Sequence, residues 1–238
     1  TGSGTTGGSG TGKAYSYSVS TDSGFSIVKY IGNGTNGHTI PHHLGAVPQI
    51  LWEKVTVGNT NNWGFYHHKI GNDKAMYMDQ AGTATDDSFL NDTTPSSTVV
   101  TLGSNMTNQD GKTFIMYSFA EKQGYSKFGS YTGNSNADGT YVHLGFKPAF
   151  LIVKRTDASY RWTMSDNKRI GFNRIIHGLA ADSNAAEETG AAYGEFDFTA
   201  NGFKCRSAED GMNVGNIVYM AWAESPFVSS SGVPTTAR

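Results

Sequence analysis

Cysteine occurs once, at Cys205, so no disulfide can form within the chain. Proline occurs six times in 238 residues, and charged residues make up only 16%. Glu, Lys and Leu are too sparse for a coiled coil. A net charge of -2 excludes a nucleic-acid binder that works through bulk positive charge. The apolar runs, such as Ala149 to Val153 and Ile217 to Ala223, are far too short to span a bilayer as a helix, so no membrane insertion is expected. No hydrophobic leader pattern stands at the start. What the chain has is glycine, 30 residues of it, together with 13 Phe, 12 Tyr and 4 Trp. Aromatics at that density can bury apolar surface, which argues against disorder throughout. The length allows one large domain or two small ones.

Residues 1–12 are only Gly, Thr and Ser, with no apolar group to offset the entropy of ordering them. They read as a flexible linker or stalk junction to something upstream. Tyr15, Tyr17 and Val19 then alternate with serines, a strand pattern.

An internal repeat organises the rest. Gly24-Phe25-Ser26 recurs as Gly124-Tyr125-Ser126, and Tyr30-Ile31-Gly32-Asn33 as Tyr131-Thr132-Gly133-Asn134. His43-Leu44-Gly45 recurs as His143-Leu144-Gly145, Trp63 as Trp162, and Phe119-Ala120-Glu121 as Trp222-Ala223-Glu224. The order and spacing hold throughout, so the expected organisation is a linker and leading strand over 1–23, a first module over 24–123, and a second over 124–238. Pro48 and Pro148 each precede an apolar run, a buried strand starting where the missing N–H does least harm. Phe114 to Phe119 and Ile217 to Trp222 read as the closing strands. Gly, Asn and Asp cluster between the runs as turn chemistry. The fold class expected is all-β: two tandem homologous β-sandwich modules. One helical segment is possible in the Ala-rich stretch Gly178 to Ala192, which Gly190 limits to a turn or two.

Chemistry-bearing residues are few. His38, His42 and His43 lie close together, and His67-His68 form a second pair. His42, His43, His67 and His68 are weak metal candidates. Neighbouring strand residues point to opposite faces, however, so turn or surface histidines are the favoured reading. No metal and no cofactor is expected. A glycosidase would need two carboxylates about 5 to 9 Å apart. Asp79, Asp86, Asp87, Asp92, Glu187 and Glu188 lie in polar stretches that mark out no pair. Glu121 and Glu224 sit at matched strand ends, which suggests a fold role such as pairing with lysine. No nucleophile elbow and no phosphate loop is present. Cys205 reads as a buried free thiol. Three Asn-x-Thr sequons, at Asn33, Asn91 and Asn105, are expected by chance in so Asn- and Thr-rich a chain.

Aromatics beside polar loops are the best hint of function. Trp63 and Tyr66 follow Asn61-Asn62, and Tyr160 and Trp162 follow Asp157 and Ser159 at the equivalent place. Aromatic faces beside amides and hydroxyls suit sugars. Asn61, Asn62, Trp63, Tyr66, Asp157, Ser159, Tyr160 and Trp162 are therefore the candidate ligand contacts. Trp63 and Trp162 also read as matched core residues, which their correspondence between repeats favours.

The junction string Phe119-Ala120-Glu121-Lys122-Gln123-Gly124-Tyr125-Ser126-Lys127-Phe128-Gly129-Ser130-Tyr131-Thr132-Gly133-Asn134 carries a family resemblance. So do Gly24 to Gly34, the run His38-Thr39-Ile40-Pro41-His42-His43-Leu44-Gly45, and Ala223-Glu224-Ser225-Pro226-Phe227. Together they resemble a two-part module common at the C-terminal ends of tailed-bacteriophage tail-fibre and receptor-binding proteins, notably of marine phages. The resemblance covers residues 24–238. It implies an all-β, non-enzymatic virion fibre protein, a homotrimer, on the outer face of the particle. Its partners would be a host cell-surface glycan or protein and other virion proteins. A capsid-decoration or shaft protein that touches no receptor, and a polysaccharide depolymerase, are the competing expectations.

Overall fold

The computed structural model describes residues 1–104, 106–190 and 195–224. The chain forms two compact units. The first comprises Thr1–Met78 and Ala84–Glu121, the second Asp79–Thr83 and the chain from Lys122 onward. Antiparallel strands dominate both, and among the described residues no sheet closes on itself.

The first unit contains β1 (Gly2–Thr5), β2 (Gly7–Gly8), β3 (Ala14–Ser20), β4 (Phe25–Ile31), β5 (His38–Pro41), β6 (Ile50–Val57), β7 (Gly64–His67), β8 (Lys74–Tyr77), β9 (Thr85–Asp86), β10 (Val99–Leu102) and β11 (Thr113–Phe119). Its large sheet runs β1-β3-β4-β11-β6-β7-β8-β9, and a small sheet runs β10-β5-β2. Period-two alternation sorts each strand. On β11, Phe114 and Met116 are fully buried while Ile115 and Tyr117 are half-buried on the other face. Phe114 stands in register with Tyr30 on β4 and Val55 on β6. Ile40 on β5 and Val100 and Leu102 on β10 share a core with them, so the two sheets enclose one apolar layer. Each such side chain taken from water contributes about 1.5–3 kcal/mol.

The opening residues differ from the flexible linker their composition suggests. β1 pairs with β3, Gly2 opposite Tyr17 and Gly4 opposite Tyr15, and β2 pairs with β5. The tyrosine rings lie over the two glycines: a methyl at Gly2 would come within 2.8 Å of the Tyr17 ring. The apolar cover that residues 1–12 lack is supplied by β3, a tertiary effect invisible in their own composition.

The second unit contains β12 (Ser126–Thr132), β13 (Tyr141–His143), β14 (Pro148–Arg155), β15 (Thr163–Asp166), β16 (Leu179–Ala180), β17 (Phe196–Thr199), β18 (Gly202–Cys205), the single helical turn α1 (Asp210–Asn213) and β19 (Asn216–Ala223). Its sheets run β12-β19-β14-β15-β16 and β13-β18-β17. The order β4-β11-β6-β7 of the first unit thus recurs as β12-β19-β14-β15. Val153, Phe203, Cys205, Ile217 and Tyr219 belong to its core. The stretch 178–190 is not helical. It enters as β16 on the edge of β15 and returns through a bridge between Gly178 and Glu188. Backbone pairing with β15 outweighs the helix propensity of its alanines. Residues 191 and 192 lie outside the described residues.

The structure explains why Tyr-x-Gly-Asn is repeated. Tyr30 Oη donates to the carbonyl of Thr107 at 2.6 Å, and Tyr131 Oη to that of Met212 at 2.5 Å. The next residue in each case, Asn108 or Asn213, is fully buried. Asn33 N–H donates to Asn108 Oδ1 at 3.0 Å, and Asn134 N–H to Asn213 Oδ1 at 3.2 Å. Asn108 Nδ2 donates to the carbonyls of Thr35 and Gly103, and Asn213 Nδ2 to those of Asn136 and Ser207. Gly32 and Gly133 pass so close that a methyl would strike the backbone of residues 108–109 and 213–214 respectively. Each buried carboxamide therefore saturates the backbone of a sharp turn that would otherwise strand several polar groups.

Candidate functional site

The sequence-predicted contacts divide between core and surface. Tyr66 and Trp162 are buried, at 2% and 1% exposure, and are corrected to core residues. Burial pushes the Tyr66 phenol up to about 12. The Trp162 indole donates to the carbonyl of Gln80 at 3.1 Å, and Lys154 Nζ stands 6.0 Å from its ring. Lys54 stands 5.7 Å from the ring of Trp63 in the same way, and Trp63, half-buried, stacks on Tyr117. Asn61 is spent on the fold: its carbonyl accepts from Lys54 Nζ, and its Nδ2 donates to the carbonyl of Met106 at 2.9 Å. Asn62 is half-buried beside it. Asp157, Ser159 and Tyr160 do gather on one loop. Asp157 pairs with Arg155 at 2.6 Å and accepts Asn216 N–H at 3.1 Å, while Tyr160 Oη donates to Asp210 at 2.9 Å. Arg155 and Asp210, which complete this network, carry no motif that marks them in sequence.

The histidines are mostly not at the surface. His38, His42 and His67 are fully buried. His42 Nε2 donates to the carbonyl of Ser96 at 3.1 Å while Nδ1 accepts Leu44 N–H at 3.2 Å. His67 Nδ1 accepts Lys69 N–H at 3.1 Å and stacks on His68 at 5.1 Å. His43, at φ 61°, stacks on Tyr17 at 3.6 Å with Tyr15 Oη 3.0 Å from its Nε2. Ring nitrogens that hold the backbone are not offered to a metal. Among the described residues, no group of three or more His, Cys, Asp or Glu is placed to hold an ion. Desolvation lowers the pKa of His38, His42 and His43, so these imidazoles stay neutral near pH 7.

Two further charged groups are buried. Glu53 Oε1 lies 3.2 Å from Tyr30 Oη, and burial raises its carboxyl well above the usual range. Lys154 donates to the carbonyls of Arg155 at 2.7 Å and Ala81 at 3.3 Å, and desolvation lowers it to about 8. Both are enclosed by strands and serve the interior. Cys205 is likewise buried, its thiol raised to about 11 by desolvation. That suits an inert core thiol.

An open site lies elsewhere in the second unit. A cavity of about 260 Å³ has Ile175 and Phe198 at its apolar base and Phe172 on its lining. Phe172 is 67% exposed, the most exposed of the large apolar side chains among the described residues. Lys147, Lys168 and Glu224 supply charge, and Asn167 and Asn173 supply amides. The loop is tied down locally. Asp166 Oδ1 accepts the N–H groups of Lys168 and Arg169, both at 2.9 Å. Asn173 exchanges two 2.9 Å bonds with the backbone of Phe198. Glu224 accepts from Lys168 at 2.7 Å, with Lys147 at 3.6 Å, and its pKa is held down chiefly by the Lys168 hydrogen bond. The Asn167 side chain also bonds to Glu224, while its Oδ1 is buried without a hydrogen-bond partner among the described residues. The sequence signal for this site is slight: one aromatic in a polar loop, Gly171-Phe172-Asn173, with no period behind it.

The profile of one family, described as a domain of unknown function (DUF7483), matches residues 1–226. No curated protein and no solved structure matches the chain.

Proposed function

The chain belongs to the DUF7483 family, whose function is unknown, and we propose that it is the host-attachment end of a bacteriophage tail fibre. In this reading it is a non-enzymatic virion protein on the outer face of the particle. It is built of two homologous sandwich modules and binds a glycan or protein of the host surface. The observation that carries the reading is Phe172, a large aromatic left in water beside amides, lysines and a carboxylate at a pocket. A singly exposed apolar side chain is ordinary; Phe172 bears on function because it stands on the lining of a pocket with amides and charges around it. The resemblance of the junction and opening strings to tail-fibre modules points the same way. The recurring strand order and the paired Asn108 and Asn213 turns support the two-module part. A homotrimer would present three weak sites at once and convert them into firm attachment.

Adsorption tests this directly. The labelled protein should bind intact host cells and block infection by its parent phage, and antibody-gold should mark the tail tip. Gold on the head would favour a capsid-decoration role. Reducing ends released from purified capsule or lipopolysaccharide would favour a depolymerase. Sedimentation of the intact protein as a monomer would remove the trimer.

A further inference from the structure

We infer that the Phe172 pocket takes a single sugar ring bearing a carboxylate, a uronic-acid-like unit. This names the ligand class of the attachment site proposed above and rests on that reading for its biological role, but the binding chemistry stands by itself. Three features converge. First, size: about 260 Å³ falls below the roughly 300–1,000 Å³ of drug-sized pockets, which suits one ring and little more. Second, amphipathy: the exposed ring of Phe172 offers an apolar surface for sugar C–H groups. Amide side chains at Asn167 and Asn173 put polar groups beside that ring. With lysines and a carboxylate also on the lining, a hydroxyl-bearing ligand is favoured over a purely apolar one.

Third, charge: two ammonium groups face one carboxylate. Lys168 holds Glu224 at 2.7 Å, whereas Lys147 stands off at 3.6 Å. The site therefore carries one positive charge in excess, and Lys147 is the loosely held cation. Exposed ion pairs of this kind are worth little, so turning Lys147 toward a ligand carboxylate costs little. Attraction through exposed lysines would also weaken as salt is added.

Titration of the ¹⁵N-labelled protein with methyl glucuronide, methyl glucoside and acetate decides the matter. The glucuronide should shift the amides of Lys168, Phe172 and Asn173. The glucoside should bind the same residues about two- to fivefold more weakly, the size of one exposed ion pair. Acetate should bind far more weakly than either. Phe172→Ala should lower glucuronide affinity by about tenfold or more while circular dichroism stays unchanged, since an exposed ring contributes contact and not stability. Lys147→Ala should erase the preference for the glucuronide. The inference is overturned by absence of glucuronide shifts, by shifts mapping away from Phe172, by equal affinity for the glucoside, by acetate matching the glucuronide, or by indifference to Phe172→Ala. Cell adsorption without glucuronide binding would remove the ligand class and keep the attachment role. Phe172-dependent glucuronide binding without adsorption to any host would do the reverse.

Discussion

Asn108 and Asn33 clasp one another in both directions: Asn33 N–H donates to Asn108 Oδ1 at 3.0 Å, and Asn108 Nδ2 returns a bond to Asn33 Oδ1 at 3.3 Å. His38 Nδ1 reaches the same Oδ1 at 2.7 Å, and its Nε2 lies 2.6 Å from Thr6 Oγ1. One carboxamide thus ties the Tyr30-Gly32 turn, β5 and the opening segment together.

Asn108→Ala should therefore destabilise far more than a typical polar deletion. It strands the N–H of Asn33, the His38 ring and the carbonyls of Thr35 and Gly103. A loss of about 3 kcal/mol or more is expected, at one to three for each stranded group. Asn213→Ala should do the same in the second unit. The urea midpoint measures both, and a shift within experimental error for either would contradict the turn-holding role.

Trp162 separates core from ligand platform. Trp162→Phe removes the indole bond to Gln80 and should cost about 1 kcal/mol. Trp162→Ala should cost about 3–5 kcal/mol through the cavity it leaves. A melting temperature that holds in Trp162→Ala, with adsorption lost, would restore the platform reading.

Acid should loosen the first unit. Burial lowers the folded pKa of His38 and His42 below the unfolded value of 6.5. The folded state then binds fewer protons than the unfolded one as pH falls below 6.5. Stability is complete above that value and declines beneath it, by up to about 1.4 kcal/mol per pH unit for each imidazole, until the folded groups themselves protonate. Denaturation midpoints at pH 7.5 and 5.0 should differ accordingly. The C–H resonances of these histidines should titrate below the ordinary imidazole range.

Mild alkali should act in the opposite sense through Lys154. Its folded pKa is about 8 against 10.5 unfolded, so between those values the unfolded state binds more protons and stability rises with pH. Lys154→Met should flatten that rise; at pH 7 the relief of removing a desolvated charge is offset by the carbonyls of Ala81 and Arg155 that lose a donor. A fall in stability between pH 8 and 10 in the parent protein, absent from Lys154→Met, would reverse the assignment.

The strands were legible because alternation and proline-led apolar runs report burial directly, as in β11 and β14. The recurring Tyr-x-Gly-Asn was legible as a pattern, but not its cause. Its partners Asn108 and Asn213 lie some eighty positions downstream, in stretches where asparagine reads as turn chemistry. β1 was hidden because its glycines draw their cover from Tyr15 and Tyr17. The histidines misled because closeness in sequence says nothing about ring nitrogens spent on Ser96, Leu44 and Lys69. Phe172 was hidden for the converse reason: periodicity detects residues that are covered, and this one is not.

The short passage Asp79–Thr83 belongs to the second unit although it is threaded between β8 and β9 of the first. Chain cleavage after Glu121 would therefore not yield two self-sufficient halves. In the C-terminal fragment the Trp162 indole would lose its Gln80 acceptor, and the Lys154 ammonium would keep the Arg155 carbonyl but lose that of Ala81. Dissection of this protein into parts has to respect that loan of five residues, and circular rearrangement of the chain would have to keep it.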